Sequence, residues 1–310
     1  MSTLKSAGAA AGGLLVLILA LGGGLYLRGQ SVAHPSIEVA PRLSSISPDS
    51  GLRARGRHLS HIMGCRHCHG SDLGGRVVGN DPPLRLVAPN LTDGTGGVGG
   101  RYTTADWARA IRHGLDPTGE PLIGMPAPSY HDLSDHDLRA LIAHLRQIPP
   151  VDRSLPSTTI RPLGYLLMGT GRIDPVANVV PSRRHPDHVP VAASVEHGRY
   201  LYDAACRHCH GPDLQGGSHP DPNGAPVPSL EPVQDWSYAA TRRAITQGVT
   251  PRGALLDDTW MPWSAFEHLT EAETRALYRF LRHRAAPRPG TASRRGASDA
   301  GRPVRRRRAP

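Results

Sequence analysis

All four cysteines of the 310-residue chain fall in two copies of one short string, Cys65-Arg66-His67-Cys68-His69-Gly70 and Cys206-Arg207-His208-Cys209-His210-Gly211. A Cys-x-x-Cys-His run puts two thiols one helical turn apart with an imidazole directly behind them. At that spacing both thiols can add to the vinyl groups of one porphyrin while the histidine comes up beneath the iron as an axial ligand. Cys65, Cys68 and His69 would thus carry one covalent haem c, and Cys206, Cys209 and His210 a second. The competing chemistries fit less well. A shared zinc site would join cysteine pairs separated by 138 residues between the inner cysteines, whereas zinc sites draw their pairs from much shorter spacings. A CxxC disulfide is usually catalytic and leaves the His-Gly after each pair unexplained. His67 and His208, inside the motifs, are expected to be exposed spacers.

A haem iron held by histidine needs a sixth ligand or an open position. The chain has only five methionines, yet Met125-Pro126 and Met261-Pro262 follow the first cysteine of their copies by 60 and 55 residues. Each lies nine residues before the start of a closing helix. Buried methionine is commonly a gap-filler, but a scarce residue at matching places in two divergent copies argues for ligation. Met63 is too close to its own motif to reach the opposite face of the haem, and Met168 falls between the copies. In the first copy His113 and His131 are the competing ligands.

The elements that must position these groups are themselves duplicated. "GRHLSHIMGCRHCHGSDLGG" is answered by "GRYLYDAACRHCHGPDLQGG", and "GMPAPSYHDLSDHDLRALIAHLR" by "WMPWSAFEHLTEAETRALYRFLR" at an offset of 136. Ser134 with Asp137, and Thr270 with Glu273, have the spacing of a capping box. Each opens a helix with an apolar stripe: Leu138, Leu141 and Leu145 in one, Leu277, Phe280 and Leu281 in the other. Short amphipathic helices precede the cysteines, and residues 104–113 and 237–247 predict a middle helix. Strand signals are nearly absent. The glycine run at 93–100 has no counterpart in the second copy and reads as a flexible surface insertion. Residues 149–194, rich in proline, read as a linker.

Composition narrows the setting. The net charge of +10 suggests nucleic acid, but residues 285–310 alone carry eight Arg and one Asp, so the folded part is only mildly basic and no nucleic-acid partner is expected. Residues 6–27 form an uncharged run between Lys5 and Arg28; 22 helical residues reach roughly 33 Å, enough to cross a hydrocarbon core. An uncleaved anchor is the favoured expectation, the N-terminus inside and the bulk of the chain outside. The small-x-small "SVA" at 31–33 keeps a cleaved signal segment as the alternative. Two phenylalanines and 5% aromatics leave thin cores, which a bound porphyrin would fill.

With these motifs in place the chain resembles a membrane-anchored dihaem cytochrome c, similar to the cytochrome c subunits of exported dehydrogenases. The resemblance implies an all-α fold: an N-terminal transmembrane or signal helix (1–30), a first cytochrome c-like domain (52–148), the linker, a second domain (195–286) and a disordered basic tail (287–310). It also implies that "PNL" at Pro89 and "PSL" at Pro228 hold the haem-ligating histidines through the proline carbonyl. The resemblance also puts Trp107 and Trp236 near the haem edges, but they do not align between the copies, so plain core packing is an equal reading to a propionate contact. His/Met ligation fills both iron positions, so the implied function is electron relay on the outer face of the cytoplasmic membrane. The donor would be a dehydrogenase or quinol-oxidising complex, and the acceptor a downstream cytochrome or terminal oxidase. A dihaem cytochrome c peroxidase, which needs an open or displaceable position at one haem, is the alternative. A haem-based sensor is weaker still, for want of any signalling segment.

Overall fold

The computed structural model describes residues 2–39, 43, 46, 49–181, 184–219 and 224–285; the basic tail expected at 287–310 lies outside them. Helix α1 (Ser2–Ala33) comes first. The first repeat contains α2 (Ser50–Ile62), α3 (Cys65–His69), strands β1 (Arg76–Asp81) and β2 (Leu84–Ala88), and α4 (Thr104–Ala108), which runs on as a π-helical turn at Arg109–His113. It closes with α5 (Ala127–Tyr130) and α6 (Asp135–Leu145). Between the repeats lie β3 (Thr159–Ile160) and α7 (Pro162–Gly169). The second repeat runs α8 (Val195–Ala205), α9 (Arg207–His210), a 3-10 turn (Glu231–Asp235), α10 (Tyr238–Gln247), α11 (Trp263–Phe266) and α12 (Glu271–Ala285).

Each repeat is held by its first and last long helices, α2 on α6 and α8 on α12. Glycine permits the crossing. A Cβ at Gly56 would fall 1.8 Å from the Ala140 carbonyl oxygen, and one at Gly198 2.0 Å from that of Ala276. Backbone therefore meets backbone, and Leu59, Ile62, Leu138 and Leu141 close over the first crossing as Leu201, Tyr202, Leu277 and Phe280 close over the second, all buried. The caps follow the expected pattern with one difference. Thr270 and Glu273 form the reciprocal box, at 3.0 and 3.3 Å. Ser134 receives the Asp137 amide at 3.1 Å, but the Asp137 carboxylate turns away to other partners.

Those partners join the repeats. Arg55 on α2 donates to both oxygens of Asp137 at 3.0 and 2.9 Å and, with its third nitrogen, to Glu273 at 3.1 Å. His58 reaches Glu273 at 2.8 Å, and Tyr200 on α8 donates to Asp137 at 2.8 Å. His58 and Tyr200 occupy the same repeat position, two residues after Gly56 and Gly198, and Asp137 matches Glu273. Each repeat's first helix thus grips the carboxylate of the other's last helix. Desolvation by burial pushes Glu273 up, but the bonds from His58 and the Thr270 amide, with the charge of Arg55, outweigh it and bring the group from its ordinary 4.5 to about 2. Asp137 is lowered by the same balance of burial against Arg55 and Tyr200.

Two expectations are corrected. The fold is not all-α: β1, β2 and β3 form an antiparallel sheet in that order. Val77 and Val78 on one side, and Leu84 to Val87 on the other, flank Asp81-Pro82-Pro83, where the chain reverses; the inter-repeat stretch then adds β3 through Leu84–Ile160 and Arg85–Thr159 pairs. Among the described residues, the second repeat has an isolated bridge, Gly217 to Val227, at the corresponding place. Nor is the glycine run a loose insertion. A Cβ at Gly94 would meet the Val151 carbonyl oxygen at 2.4 Å and one at Gly97 that of Thr92 at 2.0 Å, so the glycines let the loop fold tightly onto its own backbone and the inter-repeat stretch.

Because Glu273 is depressed in the folded state, the stability it contributes is full above its unfolded value near 4.5 and is lost as pH falls toward 2. The thermal midpoint of the full-length protein should drop through that window. Glu273→Gln should lower the midpoint at neutral pH and flatten the acid limb; an unchanged acid limb would show that the seam does not limit stability. Arg55→Ala strands two buried carboxylates and should cost about 3–5 kcal/mol, read from denaturant unfolding.

Candidate haem-binding site

Helix α2 ends at Met63, Gly64 turns the chain, and the single turn α3 presents Cys65, Cys68 and His69. A second set of bonds then fixes the histidine. His69 Nδ1 lies 2.8 Å from the Pro89 carbonyl oxygen; the carbonyl can only accept, so Nδ1 carries the proton and Nε2 keeps its lone pair. The Gly75 amide donates to the His69 carbonyl at 2.8 Å, and the Leu91 amide to that of Leu73 at 2.9 Å. The second repeat reproduces this. His210 Nδ1 is 3.3 Å from the Pro228 oxygen, the Gly216 amide donates to His210 at 3.0 Å and the Leu230 amide to Leu214 at 2.8 Å. Leu73 and Leu214 both have positive φ, 59° and 70°. Two non-glycine residues held at matching left-handed positions mark a turn that the bonds around the motif impose.

The first motif faces a cavity of about 680 Å³, within the roughly 300–1,000 Å³ typical of cofactor-sized sites. Cys65, Cys68, His69, Pro89, Met125 and Trp107 line it. Met125 and Met261 have the same local structure: each precedes a proline that starts a short helix, α5 or α11, and each is half-buried. Met63, in contrast, is buried in the core and Met168 near α7, and neither lines the cavity. His67 and His208 are exposed, as expected of spacers.

Burial dominates the electrostatics of both motifs. Burial pushes the thiols of Cys65 and Cys206 up to about 12, with Cys68 and Cys209 raised by the same cause. Burial also lowers His69 and His210, keeping the imidazoles neutral, as axial ligation requires. Among the described residues no cluster of three potential metal ligands contains a cysteine, so no zinc site shared between the pairs is assembled, and no disulfide joins the four cysteines. Trp107 is 2% exposed, and its indole N–H has no partner. An unmet donor in the wall of the cavity fits a group bearing carboxylates. The residues present therefore fit a haem.

The two competing histidines of the first repeat are drawn elsewhere. His113 Nδ1 donates to Val180 at 2.7 Å and His131 Nδ1 to Arg112 at 3.0 Å; neither lines the cavity. Trp236 is half-buried, and its carbonyl accepts from Tyr278 at 3.3 Å.

Residues 53–149 match the family "Cytochrome c", and residues 193–281 match "Cytochrome C oxidase, cbb3-type, subunit III". The chain is a tandem cytochrome c. It carries two covalently bound haem c groups. It is 27% identical over 272 residues to a "Diheme cytochrome c-type" of Cereibacter sphaeroides, covering 77% of this chain and 85% of that one. It is 29% identical over 198 residues to the "Fructose dehydrogenase cytochrome subunit" of Gluconobacter japonicus, covering 61% of this chain but 40% of that protein. With the "Alcohol dehydrogenase (quinone), cytochrome c subunit" of Gluconacetobacter polyoxogenes it shares 26% identity over 265 residues, 76% of this chain and 56% of the relative. This tandem cytochrome therefore spans about half the length of the dehydrogenase subunits it matches. It is an electron-transfer cytochrome.

The buried links between the repeats were missed in the sequence, because Asp137 and Glu273 read there as local caps. Replacing both thiols of one motif, Cys65→Ser with Cys68→Ser, should halve covalent haem per chain in denatured, reduced protein. The pair Cys206→Ser and Cys209→Ser should do the same. A full complement in either double variant would mean that haem is attached elsewhere.

Proposed function

We propose that the chain is the electron-relaying subunit of an exported dehydrogenase or quinol-oxidising complex, with haem domains at 52–148 and 195–286. It would pass electrons to a downstream cytochrome or terminal oxidase. What supports this is the matched local setting of Met125 and Met261, each half-buried before a proline that starts a short helix, in a chain whose relatives bear the names of dehydrogenase cytochrome subunits. A bound haem c supplies one-electron chemistry between ferrous and ferric iron. The protein supplies the rest. Nε2 of His69 and His210 and the thioethers of Met125 and Met261 would hold the two haem irons, and the soft sulfur would favour the reduced state. Pro89 and Pro228 fix the imidazole rings, and the apolar walls keep water away. The Trp107 N–H, unpartnered in the cavity wall, would donate to a carboxylate of the bound group.

The peroxidase alternative finds no support in these relatives, and it needs an open position that paired methionines would deny. Anchoring at the outer face of the membrane rests on α1, whose residues Ala11–Ala33 are apolar enough to span, with mean hydropathy 1.7. The end of α1 is also built into the fold. Arg28 donates to the Gly169 carbonyl at 2.9 Å, Tyr26 meets Tyr165 edge-on at 5.5 Å, and Ala33 is 3% exposed. Cleavage after Ala33 would strip α7 of these contacts, which favours a retained helix.

Oxidised wild-type protein should show the near-infrared charge-transfer band of iron–thioether ligation, and Met125→Ala and Met261→Ala should each remove about half of it and lower one potential. Carbon monoxide should bind wild type poorly and each variant readily. Purified from mildly solubilised membranes, the protein should bring down a dehydrogenase whose substrate reduces both haems. Rapid peroxide turnover by wild type, with one methionine variant leaving the band untouched, would overturn the relay in favour of the peroxidase.

A further inference from the structure

The histidines excluded from the haem cleft meet at another place. His131, just beyond α5, its neighbour Asp132, and His185 of the inter-repeat stretch each offer a donor atom, and these atoms all lie within 4.8 Å of one another. The His131 and His185 rings stand edge-on, 4.7 Å between centroids at 71°, so the imidazoles converge instead of stacking. His131 is 1% exposed. Its Nδ1 donates to the Arg112 carbonyl, which sets the tautomer and makes Nε2 the coordinating nitrogen, as metal-bound imidazoles are usually held. Nδ1 of His185 is buried without a hydrogen-bond partner.

His185 is not free to drift. The Asp135 amide donates to the Pro186 carbonyl and the His136 amide to that of Asp187, both at 2.9 Å, and His113 holds Val180 from the other side. The inter-repeat stretch is thus bonded to the first repeat before and after His185. The neighbouring Arg112 is already engaged: it pairs with Asp135 at 2.8 Å and donates to the Leu133 carbonyl at 2.6 Å.

The geometry points to a divalent-metal site of the zinc type at His131, Asp132 and His185, separate from both haems, clasping the inter-repeat stretch to the first repeat. Two imidazoles and a carboxylate are a set that zinc accepts with water in the fourth position. His131 and Asp132 also line a cavity of about 520 Å³ shared with Asp203, Arg207 and His208 of the second repeat. A metal here stands at the junction of the repeats, beside the second cysteine motif.

The test uses the full-length dihaem protein in detergent, cleared of loose metal with a chelator and titrated with zinc chloride, with bound zinc and haem iron measured together. The expected result is one zinc per chain beyond the haem iron. His185→Ala and Asp132→Asn should each weaken binding by more than about 10-fold, the loss that removal of even an outer-shell partner produces. His188→Ala, an exposed neighbour whose ring meets His136, should leave the affinity unchanged. Unaltered haem content and visible spectrum in each variant show that the fold survives. Substoichiometric zinc in wild type, or undiminished affinity in His185→Ala, overturns the site.

Discussion

Two thiols and one imidazole on a single helical turn tether a porphyrin from one face only, and everything else in each repeat answers to that constraint. The imidazole must stand upright and neutral, so a proline carbonyl 18 or 20 residues away holds its Nδ1–H. That carbonyl must itself be fixed. The Leu73–Leu91 and Leu214–Leu230 bonds do this, drawing both leucines into left-handed geometry that a branched side chain normally avoids. In the proposed arrangement the other face is closed by a Met-Pro turn and short helix, which both repeats possess. The few aromatic side chains of this sequence could not fill such a volume unaided, and the cavity beside Cys65 is the space the cofactor takes in the core.

Joining two such units raises a different problem, since the seam buries charge. Glu273 and Asp137 have side chains 0% and 2% exposed, and a lone buried carboxylate costs several kcal/mol. Here Arg55 spans both, while His58 and Tyr200 supply one further bond to each. The near-symmetric exchange sets one relative orientation of the repeats, which a purely apolar seam would specify less sharply. An electron relay depends on such a fixed arrangement of its two carriers.

Much of this was legible in the sequence because it is local. CxxCH fixes three groups by spacing, and Met125 and Met261 stand out by scarcity and matching position; that Gly56 and Gly198 mark the helix crossings is seen only in the structure. What escaped is non-local or shared. Asp137 and Glu273 satisfy a capping rule within their own helices, so nothing nearby signals a partner 82 or 218 residues away. The hairpin was hidden by its brevity and by Pro82-Pro83, which mark a turn without announcing strands on either side. The glycine run misled because glycine serves looseness and close packing equally; only the position of Val151 against Gly94 decides between them. His131 and His185 carry no mutual spacing signal at all.

The repeats are alike in plan but unequal in setting. The first has the sheet, the tight glycine loop and the inter-repeat stretch packed over it; Arg153, at that stretch's start, pairs with Asp72 just after the first motif at 2.7 Å. Its cavity is also walled by Ala33, His34 and Tyr165, where α1 meets α7. Among the described residues the second repeat has no such sheet, and the seam is a main link to the first. Duplication therefore supplied two equivalent iron-holding frames, and the added chain fell on one of them. Differences in burial and nearby charge tune haem potentials. Two frames with equivalent histidine motifs and unequal surroundings can thus hold electrons at different potentials.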